Sequence, residues 1–387
     1  MVSGAGDKPI ETPSASMNMG SSKPIFLVGE AWGENEARLG VPFVGASGVE
    51  LLRMLHEAGV IELTSGDRNR MDLYYRTGDP NHLDKIWLKH PEVYRTNVFN
   101  SHPPGNRLEH FCGGKADGIP GYGPLLPSKY VRTEFEPELA RLGDEIIAAD
   151  PNLIICLGNC AVWAFTGHTG VSKLRGTTTL STHCVGDYKL LVAYHPAAVL
   201  RQYELRPTTI ADLSKAVYER ESGALVRPPC EIWIEPDAQD IKTFIKTYIP
   251  DGTLIAVDIE TAGSTITCIG FAARRDLAIV IPFLDVRKTG RSYWPTAEDE
   301  RFVWGIIRQV LENPKVYKVF QNGMYDMAFL WRAYGIRTLG AKHDSMLAHH
   351  ALQPEALKGL GYLGSLYTSW GAWKSDRKHT DTIKRDE

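Results

Sequence analysis

"PIFLVGEAWGENEARLGVPFVG", residues 24–45, decides how this chain is read. Ile25 to Val28 form an apolar run of strand length, and the sequence then changes character. From Val28 to Gly45, eighteen residues contain four glycines (Gly29, Gly33, Gly40, Gly45), three glutamates (Glu30, Glu34, Glu36) and an isolated Phe43. Such a stretch makes a poor core segment. A buried strand running into a glycine-rich loop is instead the local architecture of a site.

Working outward, further apolar runs, "VYRTNVF", "NLIICLG" and "KLLVAYHP", alternate with segments of helical spacing such as "GVELLRMLHEAGV" and "ELARLGDEIIAA". Strands alternating with helices predict an α/β fold with a parallel sheet. Sites in such sheets form at the carboxyl ends of strands. Three runs end in polar or glycine-rich sequence there: Gly29-Glu30, Asn97 to Asn106, and His195-Pro196.

Residues 1–23 are small, polar and proline-containing and are expected to be a disordered tail without a secretory signal. A first domain is expected over 24–218. Charges, glycine and a Pro-Pro pair mark 219–235 as a linker. A second α/β pattern fills 236–387, with "TLIAVDIET", "TITCIGFAA", "LAIVIPF" and "VYKVFQN" as strands between helix-like stretches. No internal repeat is visible.

Composition narrows the class. The 387 residues are 43% hydrophobic and 23% charged, as in soluble globular proteins, and no apolar run reaches membrane-spanning length. A cytoplasmic location without membrane association is expected. The net charge of -3 means that any basic nucleic-acid surface must be local. Six cysteines without a regular framework point to a reducing compartment. Cys156 and Cys160 lie in "NLIICLGNCAVWAFTG", which reads as a core strand entering a helix.

Three separated motifs in the first domain, "GEAWGENEARLGVPFVG", "TNVFNSHPPGNR" and "YHPAAVLR", together resemble the uracil-DNA glycosylase superfamily, most closely its family 4. The resemblance implies a three-layer α/β/α sandwich with a parallel sheet, and cleavage of the bond between uracil and deoxyribose in DNA. The residue types suit that reaction. Phe43 offers an aromatic face, and base stacking on such a face contributes about 1–3 kcal/mol. Asn97 offers an amide that pairs with the O4 and N3 edge of uracil. His195 offers a donor for charge growing on O2, and Glu30 is suited to orienting water or stabilising the sugar cation.

By the same resemblance Gly29, Ala31 and Asn106 belong to the uracil pocket, and Glu36 matches a further family position. Arg107 is expected on DNA, Ala198, Val199 and Leu200 as a wedge filling the space of the flipped base, and Arg201 on a phosphate. Ordinary core packing is the competing reading of the wedge residues. Two departures stand out. Family 4 enzymes usually carry four cysteine ligands for an iron–sulfur cluster, whereas here the N-terminal pair is missing and His102 lies near another expected position. The cluster is expected to be absent. Trp32 stands where the family usually has proline.

In the second domain, Asp258 and Glu260 of "VDIET" share one side of a strand, a compact way to put two carboxylates on a metal. "QNGMYDMAFL" adds Asp326, and "HDSMLAHHALQPEALKGLGYLGSLYT" follows. This series resembles the DnaQ-like 3'-5' exonuclease domain of family A DNA polymerases, especially those of bacteriophages, with a ribonuclease H-like fold. Asp258, Glu260 and Asp326 match the first three of that family's four metal-binding carboxylates, which implies Mg2+ or Mn2+ ions about 3.5–4 Å apart. The fourth sits in a Tyr-x-x-x-Asp element with no counterpart here. Asp376, Asp381 and Asp386 of the charged tail are not assigned to it. Asp344, near His343, His349 and His350, matches a structural position between the metal motifs.

The favoured reading is a uracil-DNA glycosylase joined to a truncated exonuclease-like domain, acting in phage DNA replication or repair. The alternative is a 3'-5' proofreading exonuclease portion of a split or truncated phage polymerase, with a partner polymerase chain supplying the last aspartate. On that alternative the first domain only binds DNA. A third reading makes both domains non-catalytic DNA tethers.

Overall fold

The computed structural model describes residues 23–285, 287 and 291–370. The N-terminal stretch 1–22 and the tail aspartates Asp376, Asp381 and Asp386 lie outside them. The chain divides into two compact units, Met1–Leu225 and Val226–Glu387.

In the first unit the apolar runs form strands β1 (Ile25–Ala31), β2 (Val93–Phe99), β3 (Leu153–Leu157), β4 (Thr178–Leu180) and β5 (Lys189–Ala193), in spatial order β2-β1-β3-β5-β4. Both faces of the sheet are covered, which is why its strands are continuously apolar rather than alternating. Ile25, Leu27, Ile155, Leu157 and Leu191 enter one core, while Phe26, Val28, Ile154, Cys156 and Val192 enter the other. Helix α1 (Glu34–Leu39) follows the glycine loop. The first core is closed by α2 (Ala46–Glu57) through Val49, Leu52 and Leu55, and by α3 (Ser65–Thr77) through Met71 and Tyr74. On the other face, α4 (Glu136–Ala149) buries Leu139, Leu142 and Ile146, spaced for one helical side, and α5 (Gly158–Thr166) buries Cys160 to Phe165. The result is the expected three-layer sandwich.

β1, β2, β3 and β5 are parallel, but β4 pairs antiparallel with β5, so the sheet is mixed rather than wholly parallel. The order reverses at β1, whose neighbours β2 and β3 lie on opposite sides, and the carboxyl ends around it form the crevice where α/β proteins place their sites. Helices α6 (Pro196–Arg201) and α7 (Arg206–Ser214) follow β5.

The stretch expected as a linker, 219–235, contains strand β6 (Glu231–Ile234), which pairs in parallel with an edge of the second sheet. That sheet comprises β6, β7 (Leu254–Ala262), β8 (Thr265–Arg274), β9 (Leu277–Pro282), β10 (Tyr317–Phe320) and β11 (Ala341–Asp344), ordered β11-β10-β7-β8-β9-β6. A β7-β8-β9 meander is flanked by parallel β10 and β11. Helices α8 (Ala238–Tyr248) and α9 (Ala297–Glu312) pack Ile241, Phe244, Val303 and Ile307 into its core. Helices α10 (Met324–Tyr334) and α11 (Ser345–Leu352) follow β10 and β11 respectively. This is the α/β arrangement expected of a DnaQ-like exonuclease domain.

Candidate active site

Phe43 is placed by backbone contacts on several sides. Its φ is +57°, a left-handed value that an aromatic residue rarely holds without support. The Glu36 carboxylate accepts the N–H groups of Val44 at 3.0 Å and Gly45 at 2.8 Å, Trp87 Nε1 donates to the Phe43 carbonyl at 2.9 Å, and α2 begins immediately afterwards. The Phe43 ring reaches Gly29 at the end of β1. A Cβ on Gly29 would lie 2.6 Å from Phe43 Cζ and 2.2 Å from Asn97 Oδ1. Only the absence of a side chain there lets ring and amide meet over the strand.

Asn97 pairs in register with Gly29 across β1 and β2 and is 2% exposed. Arg141 of α4 donates to the carbonyls of Asn97 at 2.7 Å and Val98 at 3.1 Å, while holding Glu138 and Glu145 on its own helix. The Asn97 carboxamide makes no hydrogen bond to another described residue. Arg141 escaped the sequence reading. Its signal was the acid-flanked spacing Glu138, Arg141, Glu145, which by itself reads as a solvated helix face.

His195 is the N-cap of α6, and its Nδ1 accepts the Ala197 N–H at 3.1 Å. The proton of a neutral imidazole then resides on Nε2, leaving that nitrogen as a donor. The ring centroid lies 6.1 Å from that of Phe43. Gly158, at φ +88°, makes room for it, since a Cβ there would be 2.9 Å from His195 Cβ. Burial, reinforced by the charge of Arg201, pushes the imidazole down to about 4, so it is neutral at physiological pH. Burial raises the Glu30 carboxyl above its ordinary range, with Arg201 opposing the rise.

Other expected residues fall elsewhere. Ala31 ends β1 and is half-buried. Asn106 and Arg107 are exposed on the turn after β2, Asn106 at φ +57°, and no hydrogen bond ties the Asn106 side chain to the Asn97 amide. Along α6, Ala198 is half-buried, Leu200 is 45% exposed and Arg201 is exposed. Val199 is 0% exposed within the core of the α2 face, so it is a packing residue and not part of a DNA wedge. Helical geometry turns neighbouring residues about 100° apart, and the three consecutive wedge positions cannot share one face. The Trp32 N–H donates to Ser101 at 3.2 Å, joining the loops after β1 and β2.

Cys156 and Cys160 are buried in the core, where burial raises both thiols. Among the described residues no three His, Cys, Asp or Glu side chains converge as a metal site.

In the second unit Asp258 and Glu260 are exposed on β7 while Val257 and Ile259 enter the core, so the two carboxylates share a face as expected. Asp326, in the first turn of α10, is 5% exposed and accepts the Ile259 N–H at 3.1 Å, which docks it on the strand between them. Burial first, then the negative charges of Asp258 and Asp344, push its carboxyl up to about 6. Asp344 caps α11 and also accepts the N–H groups of Asn322 at 3.1 Å and Gly323 at 2.7 Å, just before α10. These bonds outweigh burial and lower its carboxyl. Asp344 therefore fixes the turn that delivers Asp326. His343 and His350 are exposed, whereas His349 is buried against the Tyr367 hydroxyl at 2.9 Å.

The uracil DNA glycosylase superfamily matches residues 18–217, and a 3'-5' exonuclease family matches residues 237–380. The chain is 28% identical over 200 residues to the type-4 uracil-DNA glycosylase of Archaeoglobus fulgidus, covering 49% of this chain and 74% of that one. It is 26% identical over 200 residues to the type-4 enzyme of Thermotoga maritima, covering 50% and 75%. Among solved structures, the EXD2 exonuclease domain soaked in Mg and GMP aligns with TM-score 0.24 and 14% identity, over 32% of this chain and 60% of that one. Brucella melitensis NrnC with bound Mg2+ aligns with TM-score 0.23 and 17% identity, over 35% and 59%.

Proposed function

Because the chain belongs to the uracil DNA glycosylase superfamily and also carries a 3'-5' exonuclease family domain, we propose that its first unit hydrolyses the N-glycosidic bond of uracil in DNA. The observation that carries this reading is the convergence over Gly29 of the Phe43 ring and the Asn97 amide, with the His195 ring beside Phe43.

A uracil extruded from DNA stacks on Phe43. The Asn97 amide accepts from N3–H and donates to O4. Cytosine presents a donor in place of O4, and that amide is then mispaired. As the C1'–N1 bond breaks, its electron pair moves onto the base, and the His195 Nε2–H stabilises the charge on O2. A neutral donor suits this step because it need not lose a proton. Glu30 orients the water that attacks C1' and takes its proton. Arg201, charged and exposed beside Glu30, suits a backbone phosphate, with Leu200 reaching into the space left by the base.

The second unit supports a second reading, a metal-dependent 3'-5' exonuclease, for one observation: Asp326 is held against β7 between Asp258 and Glu260 at the cost of like-charge repulsion. Carboxylate oxygens are the donor type a divalent ion takes, and an ion held by Asp258, Glu260 and Asp326 would supply an activated water and a counter-charge for the leaving oxygen, although among the described residues the three side chains do not converge as a ready metal group. The residues' own part is to place the carboxylates on one strand face. Together the two readings fit a role in DNA repair.

The deciding experiment is a labelled single-stranded oligonucleotide with one uracil, incubated with the protein in EDTA and then treated with alkali. Cleavage at uracil that disappears in His195→Ala supports the glycosylase. Absence of cleavage beside an active control enzyme overturns it.

A further inference from the structure

Arg95 immediately precedes the "TNVFNSHPPGNR" motif and lies on β2 two residues before Asn97. Residues two apart on a strand share a face. Leu27, the register partner of Arg95, and Val93, two residues before it, both belong to the core that contains Phe43. Arg95 Nη1 donates to the Pro42 carbonyl at 3.2 Å, and Nη2 donates to Asp84 Oδ1 at 2.5 Å. The guanidinium also lies over the Trp87 ring, 5.2 Å from its centroid, and the Trp87 indole N–H is the group that holds the Phe43 carbonyl. Asp84 and Trp87 come from one short helix, Asn81–Trp87, which Leu83 and Ile86 anchor in the same core. Arg95 therefore holds Pro42 directly and Phe43 through Trp87.

For packing alone, a guanidinium is a costly side chain at this position. The Arg95 side chain is 12% exposed, and burial pushes its guanidinium down to about 10 against the opposing charge of Asp84. An apolar side chain of similar length would cover Trp87 without desolvating a charge, and exchange of a buried ion pair for apolar residues is often neutral or stabilising. An apolar side chain could not donate to the Pro42 carbonyl while fixing Trp87. The guanidinium does both from the strand that carries Asn97, so the stacking ring and the reading amide are referred to one rigid element.

We propose that Arg95 is a positioning residue of the uracil pocket, holding the Phe43 ring at a fixed spacing from the Asn97 amide. The inference rests on the glycosylase reading above. Arg95 acts through Pro42 and Trp87, not on the base itself. A ring fixed before the base arrives lowers the ordering cost of capture. Loss of Arg95 should therefore weaken capture of the base more than the chemistry that His195 and Glu30 perform on a base already held.

The test uses the full chain. Single-turnover uracil release from a labelled single-stranded oligonucleotide is followed over a range of protein concentrations, which separates the half-saturating concentration from the maximal rate. Inhibition by free uracil, anisotropy binding of a uracil-free oligonucleotide, and urea midpoints are measured in parallel. The variants are Arg95→Met combined with Asp84→Asn, which removes both charges together, Arg95→Lys, and Met71→Ala as a control for a buried residue of α3.

The double variant is expected to keep a urea midpoint near that of wild type and to bind uracil-free oligonucleotide unchanged. Its half-saturating concentration and its inhibition constant for free uracil should each rise about tenfold, while the maximal rate falls by less than about threefold. Arg95→Lys, which cannot serve Pro42 and Asp84 together, should show a smaller rise in the same two constants. Met71→Ala should lower the urea midpoint and leave uracil inhibition alone. Wild-type constants in the folded double variant overturn the proposal, as does weakened uracil inhibition in Met71→Ala in proportion to its lost stability. If the double variant does not fold, wild-type constants in Arg95→Lys overturn it. A wild-type protein that releases no uracil removes the glycosylase reading and this proposal together, whereas an active wild type with unaltered variants removes this proposal alone.

Discussion

Gly29 and Asn97 sit side by side on β1 and β2 so closely that a Cβ on Gly29 would lie 2.2 Å from Asn97 Oδ1. The same atom would meet Phe43 Cζ at 2.6 Å. Gly29→Ala is therefore expected to displace both groups, costing about 1–3 kcal/mol of stability and lowering single-turnover uracil release about a hundredfold. Release at the wild-type rate from a folded Gly29→Ala protein would remove Asn97 and Phe43 from the site.

The Glu36 carboxylate holds the strained Phe43 turn through Val44 and Gly45. In Glu36→Ala those N–H groups lose their acceptor, a loss of about 1–3 kcal/mol measurable by urea unfolding. KM for uracil-containing DNA should rise, because the stacking ring is no longer fixed. A large stability loss with unchanged KM would make Glu36 purely structural.

His195 and Glu30 separate in a pH profile. His195 stays neutral down to about pH 4, so it does not limit release at pH 5–8. Burial raises Glu30, and since the carboxylate is the active form, release should climb with pH through a value above 4.5. Glu30→Gln should abolish that limb and slow release about a hundredfold. Persistence of the limb would assign it to another group. The depressed His195 value also contributes stability that is complete above about pH 6.5 and lost as pH falls toward 4. The drop in urea midpoint between pH 7 and pH 5 should shrink in His195→Gln.

Val199 and Leu200 should part company. Val199→Ala opens a cavity in a sealed core and is expected to cost about 1–2.5 kcal/mol. Leu200→Ala removes an exposed side chain, should leave the melting temperature within about 1–2 °C, and should slow release from double-stranded more than from single-stranded DNA. Equal effects on both substrates would exclude a wedge.

Asp326→Asn keeps an acceptor for the Ile259 N–H while removing a buried charge. The folded carboxyl is raised to about 6 from 3.8, so its stability contribution is present at low pH and lost as pH rises through that interval. At pH 8 the variant should be as stable as wild type or more so, by up to about 1–3 kcal/mol, while Mg2+-dependent digestion disappears. Digestion surviving both this change and Asp258→Ala would belong to a different site.

Much was legible locally. Apolar runs broken by glycine, asparagine or histidine marked strands of a sheet covered on both faces, and β7 announced its two-faced burial by alternating the exposed Asp258 and Glu260 with the buried Val257 and Ile259. These are properties of a few consecutive residues, set by strand periodicity and by the carboxyl ends of strands. The antiparallel turn of β4 was not legible, because a short half-buried strand carries no sign of its direction.

Sequence alone thus determined the α/β class, the two halves and the residue types available for chemistry. Tertiary structure decided which of them meet. The parallel register of β1 and β2 sets Gly29 against Asn97, the Glu36 clamp turns Phe43 inward, and the cap on α6 leaves His195 with Nε2 as its donor. It also sent Val199 inward and Leu200 outward, and seated Asp326 on Ile259. Such contacts join residues tens of positions apart, and their geometry follows from packing and from glycines that allow close approach, which no local pattern of residues encodes.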